Sequence, residues 1–263
     1  MRKSPRSSTS AFTLIELLTV IAIIGILAAI IIPTVGAVRE KAQRAVDGNN
    51  AREILKAAQI YAGDNQDRLP DPINTSTIAS GQQVWKWPGI LAKNNILTDP
   101  SFYFAKNDPA FNSASPVQFI IAPSAQRNQL HPSFTNGRSP SWEFVGGVKM
   151  SDAATTPVLY TRGLTNTGVW NVTSGVYKDS GGYVAFLGGN VAFYPSLGTI
   201  QTSPLVSNNP TSTSQNHPID IRQAIPFNTT NANLSGRIYG VPPPAGGGGM
   251  LGSANGTLAG RGP

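Results

Sequence analysis

Residues 17–38 form an unbroken run of twenty-two residues without a charged side chain, and no other feature restricts the fold so much. At about 1.5 Å rise per residue the run makes a helix of roughly 33 Å, enough for a hydrocarbon core of about 30 Å. Glu16 stands at its head, four residues after Phe12. A carboxylate inside a bilayer helix costs on the order of 2.5–3.5 kcal/mol near the centre, so Glu16 calls for a partner or a function, and the sequence offers no partner nearby on its own helix. A secretory signal peptide is excluded by length, since its apolar region normally covers about 7–15 residues. A plain amino-terminal anchor explains length and basic flank but has no use for Glu16. A buried helix of a soluble protein conflicts with the near absence of polar positions between Leu17 and Ile32.

Arg2, Lys3 and Arg6 make a short basic leader before the sequence FTLIELLTVIAIIGILAAIIIP, which starts at Phe12. Together they resemble the amino-terminal signature of type IV pilins and type II secretion pseudopilins. The resemblance implies cleavage between Ala11 and Phe12 by a membrane prepilin peptidase, N-methylation of the new amino terminus at Phe12, and a role for Glu16 in assembly. The family usually carries Gly before the cut, and Ala11 departs from it by one methyl group. Charge alone leaves orientation open, because Arg39, Lys41, Arg44, Arg52 and Lys56 follow the apolar run and weaken the positive-inside contrast. The resemblance implies a cytoplasmic leader, a single pass through the bacterial inner membrane and an exported head.

Past the apolar run, Val38, Ala42, Ala45 and Val46, then Ile54, Leu55, Ala58 and Tyr61, recur at helical spacing among charges, which predicts an amphipathic continuation able to pack on a head. Pro33 predicts a kink or a melted turn within the apolar half. Asp47-Gly48-Asn49-Asn50 predicts a second weak point, since Gly costs about 1 kcal/mol relative to Ala inside a helix. Tyr61 to Asn65 ends the helix, and Pro70 and Pro72 prevent its resumption. Asp64, Asn65, Asp67 and Asp71 admit a calcium site, although solvation of the helix end is the simpler reading in the absence of a spaced calcium loop.

Residues 85–92 predict a short helix with Trp85 and Trp87 as packing anchors; an aromatic ligand box around Lys86 is the alternative. Apolar runs at 117–121, 144–149 and 158–161 predict buried strands. Residues 182–195 form the clearest strand signal, two β-rich arms around Gly188-Gly189 that predict a hairpin with a tight primed turn. The hairpin and residues 156–164 resemble the setting near the end of the head in large prepilin-like proteins. A nucleotide loop at Gly188-Gly189 is rejected, since neither a helix nor a phosphate-binding Lys follows.

After Leu197 the sequence turns to Ser, Thr, Asn, Gln and Pro, and then to Gly, a composition that predicts a largely disordered tail with at most a short structured excursion at 219–225. The absence of cysteine excludes disulfides and thiolate chemistry. His131 and His217 each precede a proline and belong to no triad or zinc pattern, and no serine sits in a nucleophile elbow. Removing three leader cations lowers the formal charge from +7 to +4, which argues against nucleic acid as a partner.

The resulting expectation is an α+β, pilin-like chain: leader 1–11, transmembrane and assembly segment 12–38, amphipathic helix 39–63, head 64–198 with an antiparallel sheet of about four to six strands, and tail 199–263. Its expected work is that of a filament subunit of a type IV pilus or type II secretion pseudopilus, closest to the major pseudopilin but with a bulkier head. It is expected to need no cofactor, metal or catalytic residue. Expected partners are prepilin peptidase, other pilin subunits, an inner-membrane assembly platform and lipid. The alternative is a minor pilin whose head binds a surface or DNA, for which Lys86 between two tryptophans is the one local hint.

Overall fold

The computed structural model describes residues 12–74, 78–79, 81–106, 108, 110–111, 116–124, 127–136, 138–199, 202–208, 217–227, 235–240 and 257–258. The leader 1–11, Ala11 included, and the expected disorder in the rest of the tail concern residues outside these. By internal contact the chain divides into two units, Met1–Arg44 and Ala45–Pro263.

The first helix, α1, covers Leu14–Asp64 and crosses that division without interruption, through both Pro33 and Gly48. At Pro33 the ring removes one N–H donor, so the carbonyl four residues earlier loses its ordinary partner. The neighbouring Thr34 hydroxyl donates to Ile31 O at 2.8 Å and bonds more weakly to Ile30 O. No turn is melted there. The buried stripe of α1 starts later than its apolar spacing suggests: Val38 and Val46 are exposed, and burial begins at Asp47 and Gly48 and continues through Ala51, Ile54, Leu55, Ala58 and Tyr61. The expected weak point is a packing surface instead.

In the second unit α2 spans Gln83–Lys93, and α3 is a single turn, Pro132–Thr135. The strands are β1 (Trp142–Gly146), β2 (Pro157–Thr161), β3 (Gly182–Phe186), β4 (Val191–Tyr194), β5 (Arg237–Tyr239) and β6 (Thr257–Leu258). They form one antiparallel sheet in the order β4-β3-β2-β1-β5-β6. The α+β reading and its strand number therefore hold. The run at 117–121 does not enter the sheet; Ile121 only bridges Leu130, within a local loop where Ile120 O accepts from His131 N. The strand expected at 144–149 begins at Trp142 and stops at Gly146, because Gly147 turns to φ +76 and a side chain there would strike Ser235 O at 2.7 Å.

The β3–β4 hairpin is present, but its turn is not the two-residue primed type. Phe186 N donates to Asn190 O, Gly189 N donates to Phe186 O, and Gly189 has positive φ while Gly188 does not. A three-residue loop closed by a left-handed glycine has this pattern.

Strand alternation divides the sheet into two faces. Trp142, Phe144, Leu159 and Tyr183 point to the helices: Trp87 of α2 stacks on Phe144 with ring centroids 4.6 Å apart, and its indole N–H donates to Val145 O. Glu143, Val145 and Tyr160 point the other way. Residues past 199, which composition alone assigns to a tail, meet that second face. Leu205, Ile221, Ala224 and Ile225 join the core, a 3-10 turn forms at Ile221–Ala224, and β5 pairs with β1. Polar groups tie this stretch down, with Ser203 Oγ donating to Pro218 O and Asn208 Nδ2 donating to Ala224 O and Thr156 Oγ1.

Candidate functional site

The amino-terminal segment holds the sequence-derived site residues. Phe12 is 75% exposed, and every large apolar side chain described from Leu14 to Val38 is exposed as well. So much uncovered Leu, Ile and Val surface requires an apolar environment that the subunit alone does not supply, either lipid or other apolar helices. By length and composition α1 can cross a membrane.

Glu16 has a hydrogen-bond partner just before its own helix. Thr13 precedes α1, and Thr13 N and Thr13 Oγ1 both donate to Glu16 Oε2, at 2.8 and 2.7 Å, while Glu16 N donates back to Thr13 Oγ1 at 3.3 Å. This is the reciprocal capping box that a Thr-x-x-Glu spacing produces, with two of the otherwise unsatisfied first-turn donors engaged. The signal lies in the sequence at Thr13 and Glu16, but a search for a counter-charge passes over a neutral hydroxyl. The cap uses one carboxylate oxygen; Oε1 has no hydrogen bond among the described residues. A carboxylate at the start of a helix also faces the positive end of the backbone dipole. Thr13 thus orients Glu16 within the one chain, while the carboxylate keeps one acceptor oxygen for a second donor.

The other sequence candidates resolve into structural roles. Asp71 accepts from Tyr239 Oη and from Asn74 Nδ2 at 2.6 Å, and among the described residues no three His, Asp or Glu side chains cluster closely enough to hold a metal ion. His131 Nδ1 accepts from Ser133 N and so caps α3, and His217 Nδ1 lies 3.0 Å from Leu205 O. Trp85 and Trp87 are both buried, with Trp85 edge-on to Phe134 at 4.9 Å, so Lys86 is not flanked by exposed indoles.

One feature of the head escapes the sequence altogether. Tyr177 Oη donates to the buried Asp47 Oδ2 at 2.7 Å, and the Tyr183 ring lies against Gly48, so close that a Cβ there would meet Tyr183 Cε1 at 2.9 Å. Tyr177, Tyr183 and Phe193 pack edge to face around this notch. It fixes the second half of α1 on the β3–β4 hairpin.

Residues 6–32 match the prokaryotic N-terminal methylation motif. No curated protein and no solved structure matches the chain.

Proposed function

From an amino terminus of the type IV pilin-like kind, which prepilin peptidase processes, we propose that this chain is a structural subunit of a pilus or pseudopilus filament. It is cut between Ala11 and Phe12, methylated on Phe12, held in the bacterial inner membrane with its head outside the cytoplasm, and drawn into the filament by an assembly platform. It works by packing against other pilin subunits and not by catalysis. The observation that carries this reading is the methylation motif followed by a helix whose apolar side chains are uncovered while Glu16 keeps an acceptor oxygen for a second donor.

Trimming creates a positive amino group at Phe12. In a growing filament the Glu16 carboxylate of one subunit can meet the Phe12 ammonium of the next. At about 4 Å and an effective dielectric near 20 the attraction is on the order of 4 kcal/mol before desolvation is subtracted. That is enough to select an axial register between apolar helices that otherwise slide. Pro33 marks the place where α1 bends most cheaply to fit the lattice.

Two measurements test this. Intact mass of the mature chain should equal residues 12–263 plus one methyl group; a chain that keeps residues 1–11 in a host with active prepilin peptidase defeats the processing claim. Glu16→Val should leave insertion and trimming intact and yield membrane-bound monomer without filaments. Wild-type filament yield from Glu16→Val in a surface-shearing assay defeats the assembly claim.

A further inference from the structure

The apolar run ends at Val38, and residues 39–44 then place Arg39, Lys41 and Arg44 against one acid, Glu40, a net charge of +2. α1 carries all four without interruption, so their directions follow from helix geometry. Arg39 and Lys41 are two residues apart and leave the helix about 200° from one another, on nearly opposite sides. Both are exposed, and neither side chain has a hydrogen bond or an ion pair among the described residues, whereas Arg44 is held by Glu40 at 2.6 Å.

Cations at this end of the run stand against the ordinary bias. Lys and Arg gather on the cytoplasmic side of a membrane helix and are sparse just beyond its exported end, which is where the topology proposed above puts Arg39 and Lys41. They also stand at a fixed depth. Arg39 is twenty-three residues beyond Glu16, a rise of about 35 Å, which spans a hydrocarbon core of about 30 Å and reaches the head-group layer. A protein partner presents one surface to a helix and would meet one of the two cations while leaving the other outside. Lipid head groups surround the helix at a single level and reach both.

We propose that Arg39 and Lys41 form a collar that binds the phosphate groups of acidic phospholipids in the leaflet where the apolar run ends. This assignment rests on the membrane-spanning reading given above. Each side chain lays its apolar stem along the end of the run and sets its charged head among the phosphates. Arg39 offers a phosphate two parallel N–H donors, and Lys41 acts as a point charge. The collar fixes how far α1 sinks into the bilayer and so keeps Glu16 at the opposite boundary. A subunit drawn out of the membrane must first release these lipids.

The test uses the full chain in phosphatidylcholine vesicles with a trace of spin-labelled phosphatidylglycerol or spin-labelled phosphatidylcholine, and reads the fraction of each label that the protein immobilises. At low salt, Arg39→Gln/Lys41→Gln should lower the preference for the acidic label about tenfold, and Arg39→Lys/Lys41→Arg should keep it. The leader cations are the same in all three chains, so the difference reports residues 39 and 41. Both positions are exposed on a helix and Gln is a good helix former, so the fold is retained. An unchanged preference in the Gln pair, or a lost one in the charge-keeping pair, overturns the proposal. Inorganic phosphate that displaces the acidic label more than sodium chloride of equal ionic strength would assign the collar to a free phosphate and overturn the lipid assignment. Alkaline carbonate separates the two readings. A chain stripped from the vesicles defeats the membrane reading together with the collar, whereas a chain that stays embedded without preferring the acidic label defeats the collar alone.

Discussion

Glu143 and Glu16 are both glutamates of one chain, and their surroundings set them to opposite tasks. Glu16 starts a helix, is exposed, and accepts two hydrogen bonds from Thr13, so its carboxyl group is aimed. Glu143 is enclosed by the sheet, and burial holds its proton to about 7 against an ordinary value of 4.5. The sign of the resulting pH dependence follows from linkage: between those values the unfolded chain has lost the proton that the folded head retains, so folding stability declines as pH rises through this window. Fully below it the carboxyl is neutral in both states and the decline has not begun. The total loss is on the order of 3 kcal/mol, a sizeable share of an ordinary domain's stability. Glu143→Gln cannot titrate. In urea unfolding of the full chain, the stability of the wild type relative to Glu143→Gln should therefore fall steadily from about pH 4 to about pH 8. Parallel curves across that range would refute the assignment.

At the scale of the element, α1 makes plain what the sequence discloses and what it hides. The apolar run, the helical spacing of Ile54, Leu55, Ala58 and Tyr61, and the stop near Asn65 all report local or periodic preferences, and the structure carries each of them. Asp47-Gly48 reads as a break by propensity, which considers only the helix itself. Its meaning comes from Tyr177 and Tyr183, more than a hundred residues away, and no local pattern announces a notch made for a distant ring. Two glycines of α1 supply a quantitative test. At Gly63 a Cβ would meet nothing within 4 Å, so Gly63→Ala should stabilise by up to about 1 kcal/mol through helix propensity. Gly48→Ala receives the same propensity gain but drives a methyl into the packed Tyr183 ring, an overpacking cost of about 1–3 kcal/mol. Thermal unfolding should show Gly63→Ala above and Gly48→Ala below the wild type. Equal upward shifts would mean that the aromatic notch does not constrain the helix.

At the scale of the whole molecule, the sheet needs residues that composition assigns to a tail. The hairpin, β2 and most of β1 are legible, because alternating β-branched and aromatic residues between glycines and prolines carry a strand signal by themselves. Residues 203–208, 217–227 and β5 are not, since their apolar residues stand singly among Ser, Asn and Pro, and a segment packed on a surface needs no periodicity to fill it. Yet Leu205, Ile221, Ile225, Ile238 and Tyr239 are all essentially buried, and Tyr239 also donates to Asp71. At about 1.5–3 kcal/mol for each large apolar side chain, their burial is worth on the order of 10 kcal/mol, comparable to the entire stability of a typical domain. Ending the chain after Thr199, near the compositional boundary, should therefore destroy cooperative unfolding and the near-ultraviolet circular dichroism of the buried tryptophans. Ending it after Gly240 keeps Leu205, Ile221, Ile225 and β5 and loses only the edge strand β6 from the described sheet, so that variant should still melt cooperatively. A cooperative transition in the shorter chain would mean that the second face of the sheet stands without Leu205, Ile221 and Ile225 packed on it, and that the head does end where the composition changes.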